Sequence, residues 1–190
     1  MAGGDSGQVR HVPGSARSAA TGEGQSWQLP RIIYAIGRCY ARASEGPVEA
    51  KGVLRQVKGI ADTGFLVAFL SHEDRYHEWA VSLARQFDEP LLTCEAVLAE
   101  TAFHLRNVSL VLEMIPSGLV ILAFNCLENL PQLEDLARRY ADRRPDLADL
   151  CLIRMTEMYP RHTLLTVDRE DFRVYRRNKR ESIPIICPPE

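Results

Sequence analysis

The chain contains no apolar run approaching the roughly 18 to 20 residues that a membrane span requires. Its longest apolar stretches, Phe65–Leu70 and Leu119–Phe124, have the length of core elements. It has no C-x-x-C pair, and its five cysteines (Cys39, Cys94, Cys126, Cys151 and Cys187) are odd in number. That argues against a disulfide framework and against a zinc site. It points instead to a reducing compartment, and so to the cytoplasm. There is little net charge, −2 in all. A nearly neutral chain does not bind nucleic acid by bulk attraction, so any such contact must come from a local patch. Internal repeats are absent too.

What is present is the composition of a globular protein. At 190 residues the chain is long enough for one domain with a sizeable core, or one domain and an appendage. The composition changes near residue 56. "MAGGDSGQVRHVPGSARSAATGEGQSWQLP" is rich in Gly, Ser and Ala and has no apolar period, so it is expected to be disordered. "RIIYAIGRCYARA" (31–43) has the pattern of a short amphipathic helix. Residues 1–56 carry seven Arg/Lys against four Asp/Glu, which leaves the remainder net acidic. Such an Arg- and Ser-rich leader is compatible with an organelle transit peptide. The simpler expectation is an N-terminal extension without a role of its own.

Residues 57–190 alternate short apolar runs with helical patterns, the signature of an α/β domain. "VKGIAD", "LLT", "LVILAF" and "HTLLTVD" read as strands, the third of them buried. "SIPIIC" reads as an edge strand, where Pro184 is tolerated. Helices are expected over "TGFLVAFLS" continuing through "EDRYHEWAVSLARQF", over "CEAVLAETAFHLR", "NLPQLEDLARRYAD" and "DLADLCLIRMTEMY", and over a short basic segment, "REDFRVYRR". His72 and His77 read as surface residues.

Four acids stand in apolar surroundings. Asp62 and Asp168 close the first strand and "LLTV", and the carboxyl edge of a parallel sheet is where sites form. Glu100 lies among Val97, Leu98, Thr101 and Leu105 and so points inward, whereas Glu95 is at the helix start, where the dipole favours an acid. Asp146 follows Pro145 as an N-cap, and Asp149 shares its face one turn on, beside Leu150, Leu152 and Ile153. A half-buried carboxylate needs a partner. The ordinary solution is Arg or Lys. The sharper one is a hard divalent cation, which takes oxygen ligands. Asp62 and Asp168 taken singly also read as helix caps. Asp-Thr-Gly at 62–64 raises an aspartic protease, but that chemistry needs an all-β body and a second Asp from a repeat or symmetry mate. Here the triplet runs into a helix.

With these residues in order, residues 57–188 resemble a PIN-domain protein of the VapC toxin type. The matching segments are "ADTGFLVAFL…DRYHEWA", "LLTCEAVLAETAFHL", "ARRYADRRPDLADLCLIRMTE" and "LLTVDREDFRVYR", the last two being the most specific. The resemblance implies a three-layer α/β/α fold with a central, mostly parallel sheet flanked by helices. It implies an acidic pocket that binds Mg²⁺ or Mn²⁺ and cleaves single-stranded RNA to leave 5′-phosphates. By motif position the catalytic and metal-binding acids are Asp62, Glu100, Asp149 and Asp168, with Asp146 and Thr166 in support. The basic rim for RNA phosphates falls on Arg169, Arg173, Arg176, Arg177 and Lys179, a run that also reads as a solvated helix face. The helix after Asp149 departs from the family in being bulkier, and Arg154 on it is expected to face away from the site. The resemblance implies a small antitoxin partner and a homodimer. Two alternatives stand beside the toxin: an RNA-processing PIN nuclease outside a toxin–antitoxin pair, and a PIN-like binding module that does no chemistry.

Overall fold

A computed structural model describes residues 58–189. The expectations for the extension at 1–56, for the helix at 31–43 and for Cys39 lie outside the described residues.

Four parallel strands and a short fifth build one sheet. They are β1 (Lys58–Ala61), β2 (Leu91–Thr93), β3 (Val120–Leu122), β4 (His162–Leu165) and β7 (Ile185–Ile186). The spatial order is β3-β2-β1-β4-β7, and every pairing is parallel. The helices are α1 (Thr63–Leu70), α2 (His77–Ala84), α3 (Glu95–Leu105), α4 (Val108–Glu113), α5 (Leu130–Arg139), α6 (Leu147–Met158) and α7 (Arg169–Val174). They flank the sheet in the expected three-layer α/β/α arrangement. β5 (Arg176–Arg177) and β6 (Glu181–Ser182) form a separate antiparallel hairpin.

The sequence explains the layers. Parallel strands covered on both faces need near-continuous apolar runs. In β1, Ile60 and Ala61 have no exposed surface. A Cβ at Gly59 would stand 2.6 Å from a Leu91 methyl and 2.9 Å from the Phe87 ring, so the sheet and its cover meet there only because no side chain intervenes. α1 is apolar nearly all round and buries Phe65, Leu66, Ala68, Phe69 and Leu70. The Trp79 ring of α2 packs edge-on against Phe65, with centroids 5.8 Å apart. Burying one such aromatic side chain contributes on the order of 2–3 kcal/mol.

Several elements differ from the sequence reading. α1 and α2 are separate helices. Ser71 accepts from the Asp74 amide, and the Asp74 carboxylate accepts from Tyr76 N at 2.8 Å, so the polar residues 71–76 form turns instead of helix. His77 is half-buried, its Nδ1 2.9 Å from the Ala68 carbonyl, so it ties the two helices together and is not a free surface residue. α4 was not anticipated. It starts where the Asn107 side chain accepts from Leu110 N at 3.0 Å, a capping interaction. β3 is shorter than "LVILAF" and is an edge strand, with Ile121 48% and Leu122 36% exposed. The basic segment is helical only to Val174. Beyond it the chain forms the hairpin, whose strands are joined by a turn through Asn178 and Lys179, both at positive φ.

Candidate functional site

β1 is the switch point of the sheet. The chain moves from β1 to β2 and β3 on one side, then crosses through α5 and α6 to β4 on the other. Loops leaving β1 and β4 therefore diverge and open a crevice at the carboxyl ends of the strands, the usual address of a site in such sheets. Ala61 and Leu165 are partners in the register. The residues that follow them, Asp62 and Thr166, consequently meet.

Asp62 is 8% exposed, and both its oxygens are engaged. Oδ1 accepts from the Thr63 amide at 2.6 Å and caps α1. Oδ2 accepts from the Thr166 hydroxyl at 2.6 Å. That hydroxyl oxygen accepts in turn from Asp168 N at 2.9 Å, so its single proton is committed to Asp62. The Thr63 hydroxyl donates to Glu100 Oε2 at 2.8 Å and links α1 to the middle of α3. Asp146 caps α6 by accepting from Asp149 N at 2.8 Å, as its position after Pro145 predicts. Asp168 caps α7 by accepting from Asp171 N at 3.1 Å. Three helices thus begin at this crevice, each capped by a carboxylate. Gly64 lets them close up, because a Cβ there would lie 2.4 Å from a Val167 methyl, in the turn that carries Asp168.

The electrostatics record how close these acids are. Burial drives the Asp62 carboxyl up from 3.8 to about 6 against the pull of its two hydrogen bonds, and the charges of Glu100 and Asp168 add to the rise. Burial also takes Asp149 from 3.8 to about 7, helped by the charges of Asp146 and Asp62. Glu100 is raised by burial and by Asp146, against the hydroxyl of Thr63. Tyr175, buried beneath the cluster, is pushed up by desolvation and then by Asp149, Asp171, Asp146 and Asp168. Burial and mutual repulsion are the two causes that keep protons on such acids near neutral pH.

The four sequence-predicted acids therefore share one crevice with Asp146 and Thr166. Thr63, Asp171 and Tyr175 belong to it as well and were missed. Thr63 could have been found from its place directly after Asp62, whereas Asp171 and Tyr175 carry no signal of their own. As the side chains stand, no group of three or more His, Cys, Asp or Glu among the described residues is arranged to hold a metal ion. The donor set itself is all oxygen, of the type a hard divalent cation takes. It is spread over a crevice in which oxygens of Asp62, Glu100 and Asp168 already accept from cap amides and hydroxyls.

The basic residues are less uniform than a simple rim. Arg176 donates to the Arg173, Val174 and Tyr175 carbonyls and so closes the end of α7. Arg177 bonds Glu181 and the Pro160 carbonyl. Arg169 donates to the Pro188 carbonyl at 2.8 Å. It also lines a cavity of about 460 Å³ shared with Asp168, Glu170, Tyr76 and Arg75. Arg75 was not anticipated; it is exposed and stacks over Tyr76 at 4.4 Å. Arg173 is exposed on α7. Lys179 lies by Pro131 and Asp135 of α5, away from Asp168. Arg154 faces away from the acids, as expected, bound to Asn129 and Glu157.

The chain matches no protein-family model and no curated protein. Among the described residues, no helix is long and apolar enough to cross a membrane.

Proposed function

We propose that this protein is a metal-dependent endoribonuclease of the PIN type, acting on single-stranded RNA. The observation that carries the reading is the crowding of Asp62, Glu100, Asp149 and Asp168 at the switch point, with Asp62 at about 6 and Asp149 at about 7. A fold that buries Asp62 and partly buries Glu100 and Asp149, with the exposed Asp168 beside them, leaves a deficit of positive charge that a divalent cation relieves. In this reading Asp62, Glu100 and Asp149 hold Mg²⁺ or Mn²⁺, and Asp168 orients the attacking water or serves a second ion. When bound, the metal supplies Lewis acidity and a water of lowered pKa. Thr166 keeps Asp62 oriented through its hydroxyl, and Thr63 does the same for Glu100. Arg75 and Arg169, which line one cavity with Asp168, and the exposed Arg173 on α7 are the natural contacts for RNA phosphates.

The biological setting that goes with this chemistry is a toxin paired with a small antitoxin, acting as a homodimer in the cytoplasm. A neighbouring short reading frame encoding a DNA-binding protein would favour that setting over an RNA-processing role. One observation favours a second reading, a PIN-like binding module without chemistry: the acids are not gathered around a single point.

The test is incubation of the purified protein with single-stranded RNA in Mn²⁺ or Mg²⁺, against the same mixture with EDTA. Cleavage that EDTA stops is the expected result. Cleavage that survives EDTA overturns the metal-dependent reading. An intact substrate in both metals, over RNAs of varied sequence, favours the binding module.

A further inference from the structure

Three cysteines far apart in sequence meet between α3, α6 and the segment after β3. Cys94 precedes α3 and Cys151 lies within α6; both are fully buried. Cys126, in the segment between β3 and α5, is half-buried. Its sulfur lies 3.7 Å from that of Cys151.

This contact is held in register by its surroundings. The Asn125 side chain accepts from the Leu127 and Glu128 amides, and Asn129 N donates to the Cys126 carbonyl at 3.2 Å. Cys126 therefore sits in a fastened turn. The turn is moored to α6 at two further points. Arg154, one turn beyond Cys151, donates to Asn129 Oδ1 at 3.0 Å, and the Tyr159 hydroxyl donates to the Ala123 carbonyl at 2.8 Å. Residues 123–129 thus run along α6 with their sulfur over its sulfur. A disulfide requires about 2.05 Å between sulfurs, so the two sulfurs must approach by less than about 2 Å to bond.

We propose that Cys126 and Cys151 are an oxidisable dithiol that a hydroperoxide converts to an intramolecular disulfide. Cys126, the less buried of the two, attacks the peroxide oxygen through its sulfur and gives up its proton. The O–O bond breaks, the leaving hydroxide is protonated to water, and Cys126 becomes a sulfenic acid. The Cys151 sulfur then attacks the Cys126 sulfur. The S–O bond breaks as the S–S bond forms, and the departing hydroxide takes the Cys151 proton. Two thiols and hydrogen peroxide give one disulfide and two waters. Cys151 needs no route to solvent, because its partner brings the oxidised sulfur to it. A dithiol of this kind is reset by thiol exchange at Cys126. The proposal is independent of the nuclease reading, since it concerns neither metal nor RNA.

The test uses the native full-length chain exposed to dilute hydrogen peroxide, alkylated under denaturing conditions and mapped by peptide mass spectrometry. Alkylatable thiols should fall from five to three. The main new species should be a peptide pair joined through Cys126 and Cys151, and dithiothreitol should dissolve it. Cys126→Ser, with its fold checked by circular dichroism, should not form the link. Cys151→Ser should carry Cys126 on to the sulfinic acid. Cys126 over-oxidised without a link in the wild type, a bridge joining Cys151 to Cys94, or unaltered thiols would each overturn the proposal. The wild-type map decides the matter even if a variant fails to fold.

Discussion

The two ends of α6 treat a carboxylate in opposite ways. At the far end Glu157, whose side chain is 12% exposed, meets Arg154 at 2.8 Å and the Asn178 amide at 2.9 Å. Two turns earlier Asp149 is also half-buried, yet its neighbours are Asp146 and Asp62, and its carboxyl rises to about 7. One helix thus carries a satisfied acid and an unsatisfied one. Glu157 secures the hairpin to the domain. Asp149 does the reverse: it stores unfavourable charge where a ligand can release it. Burial alone does not distinguish the two, but partners do.

The sharpest way to break this comparison is activity. Asp149→Asn should lower metal-dependent RNA cleavage by on the order of 100-fold or more, as expected when a metal's oxygen ligand is lost. Glu157→Gln, on the same helix, should leave the rate within about twofold, in line with a residue that touches no reacting group. Equal losses in single-turnover assays of the two variants would abolish the distinction.

Stability against pH gives the next largest effect. In the unfolded chain Asp62 and Asp149 ionise near 3.8, whereas folded they keep their protons to about 6 and about 7. The unfolded state therefore binds fewer protons across that window, and these two groups lower folded stability as pH rises from about 4 to about 7. For Asp62 the displacement corresponds to about 3 kcal/mol at about 1.4 kcal/mol per pH unit, and for solvent-reached Asp149 to a discounted value of about 1–2 kcal/mol. Urea unfolding of Asp62→Asn should show its advantage over wild type growing by a few kcal/mol between pH 4.5 and 7.5, since Asn keeps the helix cap. At the upper pH, Mn²⁺ should raise the wild-type midpoint and leave that of Asp149→Asn nearly unchanged. A pH-independent difference would mean that the crevice acids are compensated after all.

The smallest effect belongs to the satisfied acid. Glu157→Gln keeps the shape but removes the charge opposite Arg154, and should cost about 1 kcal/mol in urea unfolding, the scale of one partly exposed charged hydrogen bond. A stabilised variant would show that the pair costs more in desolvation than it returns.

The sequence made much of the crevice legible because its parts obey local rules. Asp62 and Asp168 follow apolar runs whose length and alternation with helices demand a parallel sheet. Asp146 declares itself by Pro145, and Glu100 by the apolar residues around it. Other features depend on contacts that no local pattern encodes. Cys126 and Cys151 are 25 positions apart, and nothing between them signals that they touch. Arg176 and Arg177 read as free cations, but the end of α7 and Pro160 give them carbonyls to bind. β3 reads as buried because its composition is apolar, while its edge position is decided by the strand order. α4 was missed because its six residues are too few to show a period.

The bond between Thr166 and Asp62 spans 104 positions of the chain. β1 is made first among the described strands, yet its neighbour β4 comes from near the other end. On a ribosome, the β1 backbone must wait with one edge unpaired until almost the whole domain has emerged. Contacts of such long range also slow folding. Whatever the crevice does, the nascent chain cannot begin doing it early: the last of its four acids, Asp168, arrives just after β4, the strand that closes the open edge of β1.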